Sequence, residues 1–303
     1  TGCRRADDLV QEQTETENYA LTVFTAQERK EWEPVIKEVE ERTGWNVRVE
    51  TGSAKEMLSQ LEKEEADWDV AFGVSADALE EGKEYWQTDK DAWTGYSAVS
   101  FVILYNTNVV TYRELPTGWD SLLEPRWKGR VAVPDPLKSD MAASVLTEAA
   151  KNSEKEEFLD LLAENMQYQM PETFKEVEQG ISDGRYSIGV TSEEAAKAML
   201  AAGQDVDYID PEGGECFFED GTAIRKGTPN LDASEAFVTY TTCDDTKWLL
   251  RTQLLRQPAE DVAAENDRSD EELKQRYSRQ QEVLNIWKLI MEEKTGPAHE
   301  QEQ

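Results

Sequence analysis

The chain has 303 residues, of which 38% are hydrophobic and 9% aromatic, a composition typical of a globular protein with room for two lobes. Sixty-four acidic residues against 32 basic ones give a formal net charge of −32. Such a charge disfavours binding to nucleic acid and to anionic membrane surfaces. The sequence contains no apolar run of the length that crosses a bilayer.

Strands and helices alternate over the first quarter of the chain. Alternating, β-branched and aromatic residues predict strands at 19–25, 45–50 and 68–72, and helical spacing predicts helices at 28–43 and 54–64. The connections are only a few residues long. This order predicts a parallel, doubly wound sheet.

Small polar residues follow each of these strands, where the next helix begins. In such sheets ligands collect beyond the carboxyl ends of the strands, and helix starts present free N–H groups and a positive dipole end. A single hydroxyl at such a place is also explained as a helix cap. Three such places at one edge predict a ligand site formed by Thr25, Gln27, Ser53, Ser75 and the backbone N–H of Ala76.

A more ordered pattern fills residues 93–140. A buried strand is predicted at 98–105, a short helix at 119–123 ended by Pro125, and a second buried strand at 130–133. After a proline-rich turn, Ser139 stands where a helix at 141–150 begins, as an N-cap.

These residues resemble the middle of bacterial extracellular solute-binding proteins. The matching stretches are YNTNVV, LPTGWDSLLEPRWKGRVAVPDP, GRYSIGVTSEEAA, YIDPEGG and DGTAIRKGTPNLDASEAF, in this order. The branch that they resemble includes the ferric-ion, thiamine, phosphonate and sugar-phosphate receptors of ABC importers.

The resemblance implies an α/β fold with two doubly wound lobes joined by two crossing strands, the type II periplasmic-binding-protein fold. It implies a first lobe formed by residues 19–103 and 222–303, the latter with the C-terminal helices, and a second lobe formed by 104–221. The last amphipathic helix is expected to pack on the first lobe.

The resemblance also implies that polar groups of both lobes surround the ligand. The second lobe is expected to contribute Ser139, Thr191, Ser192 and Glu212. Trp93 and Tyr96 precede the first crossing strand; they either close over the ligand or pack in the core. The positive charge is expected from Arg29, Lys55, Lys138 and Arg185.

An oxyanion is the ligand that the sequence favours. The ferric branch commonly uses a neighbouring pair of tyrosines, and the corresponding stretch GVTSEEAA contains none. The predicted ligand is therefore an organic phosphate or phosphonate, with ferric ion as the alternative. A ligand-sensing receptor for a membrane sensor kinase is a further alternative.

Enzyme chemistry has no support in the sequence. The single histidine, His299, lies in a polar tail, and no Gly-x-Ser-x-Gly or phosphate-loop motif is present. We expect no cofactor, no resident metal and no catalytic residue. The expected partners are the small ligand and an ABC permease, with the receptor itself a monomer.

The three cysteines have separate expected roles. Thr1–Gly2–Cys3 resembles the end of a lipoprotein signal, which implies a lipidated Cys3, a tether over residues 1–18 and an extracytoplasmic, membrane-anchored protein. An exported chain can pair Cys216 with Cys243 in a disulfide; the alternative is two separate buried thiols.

Overall fold

A computed structural model describes residues 19–87, 92–212, 216–262 and 268–295. Within these ranges, nine strands form an α/β structure whose sheet has two parts, one for each lobe. The predicted two-lobe α/β fold is confirmed. The predicted tether, Cys3 and His299 lie outside the described residues.

The first lobe begins with three parallel strands, each followed by a helix. In chain order these elements are β1 (Leu21–Thr25), α1 (Arg29–Thr43), β2 (Val47–Thr51), α2 (Ala54–Glu62), β3 (Val70–Ser75) and α3 (Ala76–Glu81). β1 lies between β2 and β3. The carboxyl ends of the strands and the starts of the helices therefore share one edge, as the alternating pattern predicts.

The strand β4 (Thr94–Asn106) runs through both lobes. Its first half, up to Ser100, pairs antiparallel with β8 (Phe217–Ile224), which in turn pairs with β3 of the first lobe. From Phe101 onward β4 pairs instead with β6 (Ile188–Ser192) of the second lobe. The change of partner between Ser100 and Phe101 marks the passage from one lobe to the other.

The second lobe packs helices around a smaller sheet. Its other elements are β5 (Val131–Ala132), α4 (Asp140–Asn152), α5 (Phe158–Asn165), α6 (Phe174–Ser182), α7 (Glu193–Ala201) and β7 (Val206–Ile209). β6 and β7 are antiparallel to β4, and β5 is parallel to β6. The short segment Trp119–Leu123 is a 3-10 helix.

The chain then returns to the first lobe. It forms α8 (Leu231–Thr241), α9 (Asp244–Leu249), a π-helical turn at Leu250–Leu254, β9 (Gln257–Pro258) and α10 (Ala259–Val262). β9 pairs with β4 at Ser97 and Ala98. This pairing brings the segment before β9 to the point where the lobes meet.

The last helix, α11 (Asp270–Thr295), packs on both lobes. Tyr277 contacts the first-lobe core, whereas Val283, Trp287 and Ile290 belong to the second-lobe core. The expectation that this helix packs on the first lobe is therefore wrong for its second half. A helix of 26 residues is about 39 Å long, enough to reach across the boundary. Of the described helices, none combines the length and apolar character of a membrane span.

The cysteines do not form the predicted disulfide. Both are free thiols in the structure: Cys216 is buried just before β8 within the second-lobe core, and Cys243 starts α9 in the first lobe. Burial raises the pKa of the Cys216 thiol to about 12. Cys243 Sγ lies 3.5 Å from Thr246 Oγ1, a local contact. The lobe bounds implied by the resemblance already place Cys216 in the second lobe and Cys243 in the first, which disfavours a bridge between them.

Candidate functional site

A row of three adjoining spaces lies between the lobes. The first, here named the lysine cavity, has about 320 Å³ and is bounded by the start of α2, the segment before α4 and one side of α11. The second, the hinge cavity, has about 350 Å³ and lies between α1, the segment before β9, and helices α6 and α7. A narrow space of about 30 Å³ shares lining residues with both.

The lysine cavity is locally positive in a strongly acidic protein. Its charged lining residues are three lysines, Lys55, Lys138 and Lys288, and one carboxylate, Asp140. Among the described residues, no carboxylate lies within 4.0 Å of the Lys55 or Lys138 ammonium, whereas Lys288 Nζ is 3.7 Å from Glu292 Oε1. Two lysines without ion-pair partners remain available to an anion here.

Two serine-capped helix starts meet at the same cavity. Ser53 Oγ accepts a hydrogen bond from the Glu56 N–H at the start of α2, at 3.2 Å. Ser139 Oγ accepts one from the Ala142 N–H at the start of α4, at 3.3 Å. The N-cap predicted for Ser139 is present. The two helices come from opposite lobes, so both positive helix ends approach one space.

A hydrogen bond crosses the cleft at this point. The Ala54 N–H of α2 donates to Asp140 Oδ2 of α4 at 2.9 Å. Burial raises the pKa of Asp140 to about 6; the Ala54 N–H lowers it, and the charges of Asp77 and Glu56 raise it further. The two lobes are thus in direct contact at this point. The Asp140 carboxylate lies in surroundings that disfavour its charge.

The narrow space rests on a buried network around Arg256. Arg256 Nη1 is 2.8 Å from Asp220 Oδ2, and Arg256 Nη2 is 2.9 Å from Glu31 Oε1. Gln27 Nε2 also donates to Asp220 Oδ2 at 2.9 Å, and Ser97 Oγ donates to Asp220 Oδ1 at 2.7 Å. Burial works to raise the pKa of Glu31, but the Arg256 guanidinium holds it below its ordinary value. The network joins α1, β4, β8 and the segment before β9.

The hinge cavity has balanced charges. Lys30 Nζ pairs with Glu28 Oε2 at 3.0 Å, and Glu178 accepts a hydrogen bond from Thr191 Oγ1 at 2.7 Å. Burial raises the pKa of Glu178, which that hydrogen bond partly offsets. Of the cations on its wall, Lys175 alone has no ion-pair partner among the described residues. This cavity is less suited to an anion than the lysine cavity because its carboxylates balance its cations.

The predicted site residues separate into two groups. Four line the cleft: Gln27, Ser53, Ser139 and Ser192. Five line none of its three spaces: Thr25, Ser75, Ala76, Thr191 and Glu212.

Each residue of the second group has another role. Thr25 is buried and accepts from the Gln27 N–H, and Thr191 is buried behind Glu178. Ser75 is also buried, and Ala76 lines a separate crevice with Arg268 and Arg276. The exposed Glu212 forms a bridge with Gly118. Alternation along a strand decides which hydroxyl reaches the cleft, and a one-residue error in register reverses that assignment.

The aromatic residues Trp93 and Tyr96 also lie away from the cleft. Tyr96 is buried against Phe72, with ring centroids 4.7 Å apart, and Trp93 Nε1 is 3.3 Å from Glu80 Oε2. The packing alternative is therefore the correct one for Tyr96.

Two of the four predicted cations are engaged elsewhere. Arg29 pairs with Glu33 and Arg185 with Asp183, both at the surface. Of these four cations, Lys55 and Lys138 line the lysine cavity. Sequence reasoning missed Asp140, Arg256 and Gln280, which reach the cleft from segments far apart in the chain.

Comparison with known proteins gives the same overall architecture. The ferric binding protein from Campylobacter jejuni is 17% identical, with a TM-score of 0.70, over 89% of this chain and 99% of that chain. The binding protein AfuA from Actinobacillus pleuropneumoniae, with fructose-6-phosphate bound, is 16% identical, with a TM-score of 0.64, over 78% and 83%. At these identities the likeness concerns the fold.

Sequence comparison gives one distant relative and one family model. Iron uptake protein A1 of Synechocystis is 22% identical over 300 residues, which is 88% of this chain and 79% of the relative. The family model described as bacterial extracellular solute-binding protein matches residues 72–281, more than half of the chain. With its two lobes and the cleft between them, the chain belongs to the bacterial extracellular solute-binding proteins.

Proposed function

We propose that this solute-binding protein of an ABC importer captures a small organic phosphate or phosphonate in the lysine cavity. One observation carries the proposal: Lys55 and Lys138, from opposite lobes and without ion-pair partners, line one cavity between two helix starts. Because the chain has a net charge of −32, it needs a locally positive cavity such as this one to attract an anion.

The geometry offers a phosphate the groups that it usually binds. Helix starts supply N–H donors and a positive potential, and lysines supply mobile point charges. Because Ser53 and Ser139 belong to different lobes, an anion held by both helix starts makes more contacts in the closed form than in the open form. That differential contact is what shifts a two-lobe protein toward closure, the form that a permease recognises.

One related structure shows that this fold accommodates a phosphate ester. The AfuA structure has fructose-6-phosphate bound. Its likeness to the present chain is one of fold, so it supports the class of ligand and not a set of contacts.

Ferric ion is the second candidate, because several similar proteins are described as ferric-binding or iron-uptake proteins. In the lysine cavity, the side chains with phenolic or carboxylate oxygens suited to bind ferric ion are Tyr277 and Asp140. Among the described residues, no three of His, Cys, Asp and Glu are grouped as metal ligands. The positive lining therefore favours the anion.

The membrane context and the final partner belong to the same proposal. Membership of the family implies an extracytoplasmic protein that delivers its solute to a permease. Lipidation of Cys3 and action as a monomer are our further expectations. A sensor kinase as partner is the alternative, and a kinase gene in place of a permease gene beside this one would favour it.

A thermal-shift screen tests the ligand class. Purified protein is mixed in turn with alkyl phosphonates, sugar phosphates, thiamine and ferric citrate. Binding to the folded state raises its stability by RT ln(1 + [L]/Kd), about 2.7 kcal/mol at a ligand concentration a hundred times Kd. We expect a shift with a phosphate or phosphonate. A shift with ferric citrate alone would make the iron receptor the correct assignment.

A further inference from the structure

Asp140 is the single carboxylate among the charged residues that line the lysine cavity. It lines the same space as Lys55, Lys138 and Lys288, yet no cationic group lies within 4.0 Å of it among the described residues. Its Oδ2 atom accepts the Ala54 N–H, and its Oδ1 atom has no partner among those residues. One acceptor of a partly buried carboxylate therefore remains free at the wall of the proposed binding site.

The surroundings of Asp140 disfavour its ionised form. Burial raises the pKa of Asp140 to about 6, and the like charges of Asp77 and Glu56 add to this effect. Asp77 is itself buried, and its Oδ2 atom has no hydrogen-bond partner among the described residues. A cation placed beside Asp140 relieves both the lost hydration and the repulsion between these carboxylates.

A second buried polar group at the same cavity lacks a partner. Gln280 of α11 is 3% exposed, lines the lysine cavity, and has an Oε1 atom without a hydrogen bond among the described residues. A buried amide left without a partner is costly, so its presence at a cavity wall points to a ligand group that satisfies it. Gln280 and Asp140 reach this wall from α11 and α4, respectively, so they are independent observations.

We propose, on the basis of the phosphate or phosphonate function above, that the solute is zwitterionic: a protonated amine of the solute donates to Asp140 Oδ1 and Gln280 Oε1, while its anionic group lies against Lys55 and Lys138. Asp140 is the carboxylate that pairs with the amine, so no further carboxylate is required. A space of about 320 Å³ holds a small molecule with both groups.

The test compares O-phosphoethanolamine with ethyl phosphate, which differ by the amine alone. Isothermal titration at neutral pH is run with the wild-type protein, with Asp140→Asn and with Glu65→Gln, an exposed carboxylate that controls for the change in net charge. A charge-assisted hydrogen bond predicts that the wild type binds phosphoethanolamine at least about tenfold more tightly.

The Asp140→Asn substitution is expected to bring the two affinities within about twofold of each other, by weakening phosphoethanolamine and tightening ethyl phosphate. Glu65→Gln is expected to keep the wild-type preference. Equal or tighter binding of ethyl phosphate by the wild type overturns the proposal, and so does an unchanged preference in Asp140→Asn.

A failure of the amine site is distinguishable from a failure of the phosphate site. If ethyl phosphate binds and the amine adds nothing, the phosphate function stands and the zwitterion proposal is wrong. If neither phosphate binds, the wild type and Asp140→Asn are titrated with ethanolamine. Binding that depends on Asp140 then supports the amine site alone, and the absence of binding overturns both proposals.

Discussion

Asp220 Oδ2 and Arg256 Nη1 lie 2.8 Å apart at the floor of the cleft, both nearly inaccessible to water. The pair connects β8 to the segment before β9, and β9 itself pairs with the crossing strand β4. Burial raises the pKa of Asp220, and the Arg256 charge lowers it. The base of both lobes therefore depends on one buried cation, Arg256, that compensates the carboxylates of Asp220 and Glu31.

Removing one member of this pair is predicted to destabilise the protein strongly. Arg256→Ala leaves the buried carboxylates of Asp220 and Glu31 without their cation. Loss of one partner of a buried ion pair costs about 3 to 5 kcal/mol. The free energy of unfolding in urea measures the effect. Glu33→Ala, which breaks the exposed pair with Arg29, is the control and is expected to cost less than about 1 kcal/mol. Equal effects of the two substitutions would contradict this role for the buried pair.

Gly73 is predicted to be needed for the position of Gln27. It has φ +63, and a Cβ atom built there lies 2.3 Å from Gln27 Cδ. Gly73→Ala therefore combines an unfavourable backbone angle with displacement of Gln27 from Asp220. Gly203 has a similar φ of +72 and open space around it, so Gly203→Ala carries the backbone cost alone. We expect the Gly73 variant to unfold at a lower urea concentration than the Gly203 variant. Coincident transitions would show that Gln27 moves aside without loss.

The raised pKa of Asp140 predicts a specific pH dependence of stability. An acid whose pKa rises on folding stabilises the folded state most at low pH, and that contribution is lost as the pH rises from about 4 through about 6. Asp140→Asn removes the charge and keeps an acceptor for the Ala54 N–H. The variant is expected to match the wild type near pH 4 and to exceed it by about 1 to 2 kcal/mol at pH 7.5, after allowance for partial exposure. Urea unfolding of both proteins at several pH values measures the difference in their free energies of unfolding. A difference that does not change with pH would refute the raised pKa of Asp140.

The thiols are predicted to differ in reactivity. In a Cys3→Ser background, native protein without reductant is expected to expose one reactive thiol to an aromatic disulfide reagent, that of Cys243. Cys216 reacts only after unfolding, because it is buried and its pKa is raised to about 12. After unfolding, both thiols are expected to react with the reagent. If no thiol reacts even in denaturant, the disulfide predicted from the sequence is present after all.

Local sequence signals predicted the elements of this fold well. The strands predicted at 19–25, 45–50 and 68–72 and the helices predicted at 28–43 and 54–64 are present with bounds that agree to within three residues. Ser53 and Ser139 cap helices, as their positions before predicted helices indicate. These features depend on residues close together in the chain, where caps and periodicity are readable.

The site was less predictable because it depends on contacts between distant segments. Asp140 and Ala54 are 86 residues apart, and Arg256 and Glu31 are 225 apart. Nothing in the local sequence around Asp140 distinguishes a residue in the first turn of a helix from one that reaches the other lobe. Thr191 and Ser192 show the same limit: they are adjacent, yet only Ser192 lines the cleft.

The most direct test of the account is the contribution of Lys55 and Lys138 to anion binding. The organic phosphate or phosphonate that gives the largest thermal shift is titrated into the wild type, into the double variant Lys55→Gln/Lys138→Gln, and into Lys63→Gln at the far end of α2 as the charge control. Loss of two charge-assisted contacts predicts at least about tenfold weaker binding by the double variant and no change in Lys63→Gln. Equal affinities in all three proteins, or no phosphate that binds, would contradict the assignment of the lysine cavity as the solute site.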